Sequence, residues 1–474
     1  MADTLTEHVE RTWDDEIVPA LVEYIAIPAK SPAFDPDWAS SGHLDAAVAL
    51  VRDWCAGRAV AGLAIEVVRL EGRTPVILVE VPASAGGGAP APAGTVLLYG
   101  HLDKQPEMTG WREGLGPWTP VLDRDRLYGR GGADDGYSAF AALTAIEALQ
   151  AAGRPHARCV VLIEASEESG SPDLPAYVEH LADRIGDVDL VVCLDSGCAT
   201  YEHLWVTTTL RGVANVVLTV EVLRQGMHSG AASGIVPSSF RILRQLLDRI
   251  EDAATGEILV PELYGSPSAA RLEQVRTTAA ELGESIATAW PFAGDTRPTT
   301  TDPVEALLAK TWRPTLSVIG IDGIPSVVNG GNVLRPSTTV SLSFRLPPDV
   351  DPAVAMPAVV DRLTADPPYG AVVRAEVSEA GAGWRAPELA PWLADALEAA
   401  SQAAFGNGVR YIGEGGSIPF MGMLGERFPA AQFVVTGVLG PGSNAHGPNE
   451  FLHVPTGKKV TASVATILEA HATR

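Results

Sequence analysis

Five short runs of apolar, mostly β-branched residues punctuate the chain at residues 76–81, 95–99, 160–165, 190–194 and 433–438, each closed by turn-forming residues. Continuous apolar runs of this length read as strands buried on both faces. Between them, residues 137–151 and 174–185 carry helical spacing, and this alternation of strand and helix predicts an α/β domain built on a largely parallel sheet. The N-terminal stretch, MADTLTEHVERTWDDEIVPALVEYIAI, reads as an amphipathic helix. From Leu210 the pattern changes to strand (211–222), helix (238–252), a long mixed connection, strand (332–346), helix from the Asp351-Pro352 start signal to Asp366, and strand (371–380). That order suits a small α+β sandwich inserted into the first domain. The chain returns near Gly381 to Trp384 to a helix at residues 391–405 and a last sheet strand. The expected division is 1–209 and 383–474 for the outer domain, with 210–382 inserted.

Composition narrows the class. At 474 residues the chain exceeds the usual size of one domain, which agrees with two cores. Hydrophobic residues make up 46%, and the formal charge of −24 argues against nucleic acid or an acidic membrane surface, either of which calls for basic patches. The first residues carry acids where a signal peptide needs a basic start, and no apolar stretch reaches the roughly 18 residues of a membrane span. The cysteines Cys55, Cys159, Cys193 and Cys198 lack CxxC spacing and read as reduced core thiols, which favours a soluble, cytoplasmic protein. ASAGGGAPAPAG at 83–94 reads as a loop between two strands.

Ligands of open α/β sheets bind beyond the carboxyl ends of the strands, and the chemistry of this chain falls there. His101, the pair Glu167 and Glu168, Asp195 and His446 each follow a strand, while Asp134 lies in the Gly-rich turn GRGGADDGY that opens a helix. Asp103 stands two residues from His101, on the same side of an extended segment, where it can hold or tune the imidazole. Carboxylates gathered in this way demand cations, because two of them about 4 Å apart repel by roughly 4 kcal/mol at an effective dielectric near 20. Two divalent ions would nearly cancel the charges of Asp103, Asp134, Glu167, Glu168 and Asp195. Singly, each residue has a plainer explanation: a satisfied histidine, a helix cap at Asp134 and Asp135, a solvated pair of glutamates. GRGGADDGY also invites comparison with a phosphate loop, but it lacks the GK[ST] ending and the GxGxxG pattern, and its acids repel phosphate.

The motifs YGHLDKQP, GRGGADD, EESGS, LDSG, MHSG, EGGSIP and AHGPNE, in this order, resemble those of the cytosolic non-specific dipeptidase and carnosinase branch of the zinc aminoacylase and carboxypeptidase family. The resemblance runs over almost the full chain. It implies a catalytic domain of the zinc-peptidase type with an inserted, ferredoxin-like lid through which two chains form a homodimer. It also implies a site for two divalent ions, zinc first, with manganese and cobalt also suited to mixed nitrogen and oxygen ligands. Asp134 would bridge both ions, His101 and Asp195 would hold one, and Glu168 and His446 the other. Asp103 would orient His101, and Glu167 would serve as general base toward the attacking water and then protonate the leaving amine. His228 in GMHSG corresponds to a lid histidine that reaches across the dimer to hold the oxyanion. Arg345 in LSFRLPP matches the family's arginine for a substrate carboxylate, with an exposed strand arginine as the alternative. Asn332 takes the place of a lid threonine, and Gly415, Gly416 and Ser417 look like a backbone nest for the same end of the substrate, or a plain turn.

The activity so implied is hydrolysis of the amide bond of dipeptides or similar small substrates with a free carboxylate. An N-acyl-amino-acid amidohydrolase with the same site is the alternative. A non-catalytic metal-binding protein of the same fold is the alternative of another class, although neither Glu167 nor a ligand is missing. A serine hydrolase is disfavoured because no GxSxG occurs. The departures from the family pattern bear on substrate choice: the usual DDKG is Asp134-Asp135-Gly136-Tyr137, Lys104 replaces an aliphatic residue, and Ala380 stands in a segment where carnosinase-like enzymes carry histidine.

Overall fold

A computed structural model describes residues 4–86, 91–416 and 419–474, which fall into two units. The first comprises Met1–Thr208, Ala386–Ile412 and Met423–Arg474, the second Thr209–Arg385 and Gly413–Gly422, and each buries its own apolar cluster. The segment Gly413–Gly422 therefore groups with the second unit rather than with the C-terminal part of the first. The loop expected at 83–94 lies partly outside the described residues.

In the first unit the apolar runs lie side by side in one sheet. Its order is Ala64–Val68, Val76–Val81, Arg158–Glu164, Thr95–His101, Leu190–Cys193, Gln432–Val435 and Trp205–Leu210. The central four strands are parallel, with Leu97 between Val160 and Val191, and Val434 beside Val192. The flanking strands pair antiparallel, so the sheet is mixed, with its parallel part at the centre. Every residue of Thr95–His101 is buried, which is why that run shows no alternation of polar and apolar positions. The helix Ser138–Ala151 is buried from Ser138 to Leu149, and its alanines let it pack closely against the C-terminal helix Val454–Thr473. The single helix expected over 174–185 is two, Leu174–His180 and Ala182–Ile185, broken where Leu181 leaves helical geometry.

The N-terminal helical stretch shows how a pattern shapes backbone. Leu5, Val9, Trp13, Ile17, Leu21 and Ile25 are all buried and recur every fourth residue. In a regular helix such a stripe drifts by about 40° per step, because four residues overshoot one turn. The wider turn Trp13–Ile17, between the α-helices Thr4–Thr12 and Val18–Ile25, takes up part of that drift and keeps the stripe on the core.

The second unit orders its elements β-α-β-β-α-β around an antiparallel sheet, with Thr315–Asp322, Ser337–Leu346, Gly212–Glu221 and Val372–Gly381 as neighbours in that order. This is the ferredoxin-like arrangement. Gly212–Glu221 alternates buried and half-buried positions, and its inner residues Ala214, Val216, Leu218 and Val220 meet Ile242 and Leu246 of the helix Ser239–Leu247 and Val359 of Pro352–Thr364. The strand expected over 332–346 is interrupted, with Val333–Leu334 and Ser337–Leu346 separated at Pro336, which has no amide hydrogen to give to a ladder. The long connection contains the edge strand Thr315–Asp322 and the helices Ala269–Leu282 and Pro303–Thr311. The four cysteines are buried and form no disulfide among the described residues. No helix among the described residues is long and apolar enough to cross a membrane.

Candidate metal centre

The carboxyl ends of the four central parallel strands deliver the site. His101 ends Thr95–His101, the 3-10 turn Glu167–Ser169 follows Arg158–Glu164, Asp195 follows Leu190–Cys193, and His446 comes after Gln432–Val435. Asp134 lies in Gly132–Gly136, just before the buried helix, with a cis peptide to Asp135. Gly100 makes room for this turn: a Cβ there would lie 2.1 Å from Ser138 Oγ and 2.7 Å from Asp135 Oδ2.

Two triads result, and Asp134 belongs to both. In the first, His101 Nε2 lies 3.5 Å from Asp134 Oδ1 and 3.8 Å from Asp195 Oδ1. In the second, His446 Nε2 lies 3.0 Å from Asp134 Oδ2 and 3.3 Å from Glu168 Oε2. Ligands held about 2.1 Å from one ion in tetrahedral array sit roughly 3.4 Å apart, so these spacings fit atoms that share a cation. Two further observations agree. His101 Nε2 and Glu168 Oε1 are buried with no hydrogen-bond partner among the described residues, and the donor set of imidazole nitrogen and carboxylate oxygen suits a first-row divalent ion.

The electrostatics follow from burial and crowding. Burial works to lower the His101 imidazole, but the Asp195 charge and the carboxylates of Asp103 and Asp134 hold its pKa well above the usual value. Burial works to raise the Asp134 carboxyl, and the two histidines overcome it and bring the pKa down. For Glu167 and Glu168 the pull of His101 does not win: burial pushes both carboxyls up, with Asp195 adding to Glu167 and Asp134 to Glu168. The same surplus of negative charge that favours protonated imidazoles favours a dication in place of those protons.

Asp103 does more than its spacing from His101 announced. Its backbone carbonyl lies 3.1 Å from His101 Nδ1 and its carboxylate Oδ1 lies 3.5 Å away, while the carboxylate accepts the amides of Glu167 and Glu168 at 3.1 and 3.0 Å. One side chain thereby bears on the histidine and fixes the turn that carries both glutamates. Gln105, quoted within a motif but given no role, donates to Glu168 Oε2 at 2.5 Å. Behind the turn, Glu164 is buried and its carboxyl is pushed up to about 7 by burial and the nearby Asp103 charge.

Two of the departures from the family pattern also find physical places. Tyr137 donates to the Leu194 carbonyl at 2.5 Å, tying the turn of Asp134 to the strand end before Asp195. Lys104 is fully buried over the Tyr24 ring and donates to the carbonyls of Tyr24 at 2.7 Å and Ile27 at 2.8 Å, closing the end of the N-terminal helix. Burial drives its ammonium pKa well down.

The remaining site residues belong to the second unit or its edge. His228 is exposed on the short strand Met227–His228, which pairs with Val333–Leu334. Asn332 is exposed, and its carbonyl accepts the Ser229 amide. Arg345 is half-buried on Ser337–Leu346, opposite Thr315. Gly416 accepts the Arg211 amide at 3.1 Å, and the Arg211 guanidinium donates to the Gly415 carbonyl at 3.2 Å. Arg211 drew no notice in the sequence; burial and the neighbouring Arg345 charge lower its pKa to about 10. Ser417 lies outside the described residues.

Comparison with known proteins agrees with this geometry. Residues 97–470 match the model of peptidase family M20/M25/M40. The chain is 27% identical over 371 residues to the cysteinylglycine-S-conjugate dipeptidase of Corynebacterium striatum, covering 76% of this chain and 77% of that one. It is 28% identical over 432 residues to the Beta-Ala-His dipeptidase of Homo sapiens, covering 87% and 82%. The solved structure of the dipeptidase Dug1p of Saccharomyces cerevisiae shares the fold at a TM-score of 0.74, with 21% identity over 99% of this chain and 98% of that one. The chain therefore belongs to peptidase family M20/M25/M40 and is a metallopeptidase.

Proposed function

We propose that this chain is a cytoplasmic, homodimeric dipeptidase that hydrolyses dipeptides or closely related small amides bearing a free carboxylate, using two divalent cations. The observation that carries the reading is the split of one carboxylate between two histidines: Asp134 turns Oδ1 to His101 and Oδ2 to His446. His101 and Asp195 would hold one ion, Glu168 and His446 the other, and Asp134 both. Bound there, zinc or a similar ion supplies Lewis acidity that polarises the scissile carbonyl and makes water easier to deprotonate. Glu167, whose Oε2 lies 4.0 Å from His101 Nε2, takes the proton from the attacking water and delivers it to the leaving amine. Asp103 keeps His101 and the glutamate turn in register. Arg345 pairs with the substrate carboxylate, with Asn332, Gly416 and Ser417 bordering the same end.

His228 acts from the second chain of the dimer as the donor that holds the oxyanion. Support for a dimer comes from the apolar surface of the second unit, where Val318, Ile319 and Ile321 of the edge strand, and Val327 and Val328 beyond it, stand exposed; Val327 is 98% accessible. Support for the dipeptide comes from the two relatives, both dipeptidases by name. Four buried cysteines that form no disulfide among the described residues support a reducing compartment.

A panel of dipeptides and N-acyl amino acids, offered to metal-loaded protein, tests the reading. Dipeptides are expected to turn over fastest; a preference for N-acyl amino acids would replace the dipeptidase with a deacylase, and inertness toward both would remove the hydrolase. Mixing Glu167→Ala with His228→Ala, each expected to be strongly impaired alone, is expected to restore activity through mixed dimers. Lasting inactivity of exchanged mixtures would place His228 within its own chain's site.

A further inference from the structure

His446 is held differently from the other ligand candidates. It follows its strand at a distance, in a turn where Asn444, His446 and Asn449 take positive φ values of 54°, 62° and 63°. Residues other than glycine rarely keep that backbone unless their surroundings impose it. Here the turn is held within itself and from its flank, Asn444 donating to the Pro448 carbonyl at 2.5 Å and Asn449 Oδ1 accepting the Arg112 amide at 2.8 Å, and it is tied to the Asp134 turn by Glu450, which is fully buried. Its Oε2 accepts Arg130 Nη1 at 2.5 Å, and its Oε1 accepts the Gly131 amide at 2.9 Å. Arg130, also buried, turns Nη2 onto the Gly447 carbonyl at 2.8 Å, and the Gly129 amide donates to the Glu450 carbonyl at 3.0 Å. All four contacts join the turn that carries Asp134 to the turn that carries His446.

We infer that Arg130 and Glu450 are positioning residues for the second cation, because their buried pair locks the His446 turn onto the Asp134 turn and so sets the Asp134–Glu168–His446 triad. The inference rests on the two-cation reading above. Neither residue belongs to a triad. The first triad shares only Asp134 with the second, and its other members stand on the sheet, His101 ending one strand and Asp195 closely following another, so it should respond less. The pair therefore has a signature that general scaffolding lacks: it discriminates between the two ions.

The test is a calorimetric titration of Zn2+ into metal-free, full-length protein, followed for both binding events. Glu450→Gln keeps the size of the side chain and an acceptor for the Gly131 amide, but it removes the charge facing Arg130. It is expected to weaken the second ion by about 10- to 100-fold, the range for loss of an outer partner of a ligand, and the first ion by clearly less. Arg130→Lys keeps a charge for Glu450 and drops the Gly447 contact, so it should weaken the second ion less, by about tenfold. It also serves if Glu450→Gln, which leaves a buried guanidinium without its partner, does not fold. A folded variant that binds both ions as the wild type does, or weakens both equally, overturns the inference; so does failure of both variants to fold, which would make the pair scaffold. Wild-type protein that takes up a single ion would instead remove the two-cation reading itself.

Discussion

The two triads share an aspartate but differ in how the rest is supplied. In the first, His101 is enclosed at the end of a buried strand and Asp195 sits just past the next one. In the second, the His446 side chain is 56% exposed on a turn of unusual backbone, and Glu168 lies on a one-turn 3-10 segment. Backbone ladders hold the first set of ligand candidates, and side-chain contacts hold the second. A strand end cannot shift without disturbing the sheet, whereas a turn shifts when one contact is lost. The first ion should therefore be bound tightly and exchange slowly, and the second should be the ion that responds to mutation and chelators.

The largest expected effect separates chemistry from both triads. Glu167→Ala should lower turnover by about 10²- to 10⁴-fold, the range for loss of a general acid–base group, while metal analysis finds the same content as the wild type. Loss of an ion in that variant would make Glu167 a ligand and dissolve the division. The next effect sharpens the contrast between the triads. His101→Ala should cost the first ion more than the roughly 100-fold attached to an outer partner, and His446→Ala should weaken only the second, both read by metal titration. If His446→Ala depleted both ions equally, the triads would be one cooperative cluster.

A smaller effect concerns the buried acid beneath the closed triad. Glu164 accepts Tyr99 Oη at 2.5 Å, Ser171 Oγ at 2.8 Å and Ser166 Oγ at 3.2 Å. Its pKa is raised to about 7 in the fold, so between the ordinary carboxyl range and pH 7 the native state holds a proton that the unfolded state has lost. Stability from this group is full at low pH and declines as pH rises through that window. Glu164→Gln mimics the protonated acid and should flatten the decline, by an amount on the order of 3 kcal/mol at most across the window. Parallel urea denaturation of metal-free protein from pH 4.5 to 7.5 reads it; identical pH slopes for variant and wild type would show the carboxyl to be ionised in the fold.

Much of the closed triad was legible because strand ends leave a local mark. An apolar run followed at once by His101 or Asp195 is visible in one dimension, and so is the glycine-rich turn around Asp134. The open triad's supports were not. Arg130 and Glu450 are 320 positions apart, and nothing local in either motif says that they meet. Asp103 was read from its nearness to His101, whereas its carboxylate spends two hydrogen bonds on amides 64 and 65 residues away. The helix Val454–Thr473 escaped notice because its valines, threonines and Gly457 are weak helix formers, and burial against neighbouring helices decides its conformation. The edge strand Thr315–Asp322 hid in the long mixed connection for the opposite reason: all of its residues are exposed or half-buried, so no buried face marks it.

The central claim is that Asp134 divides its carboxylate between two cations. Anomalous diffraction from crystals of metal-loaded protein tests it most directly. Two peaks are expected, one among His101, Asp134 and Asp195 and one among Asp134, Glu168 and His446, each about 2.0 to 2.2 Å from an Asp134 oxygen. A single peak in fully loaded crystals, or two peaks of which only one touches Asp134, would contradict it.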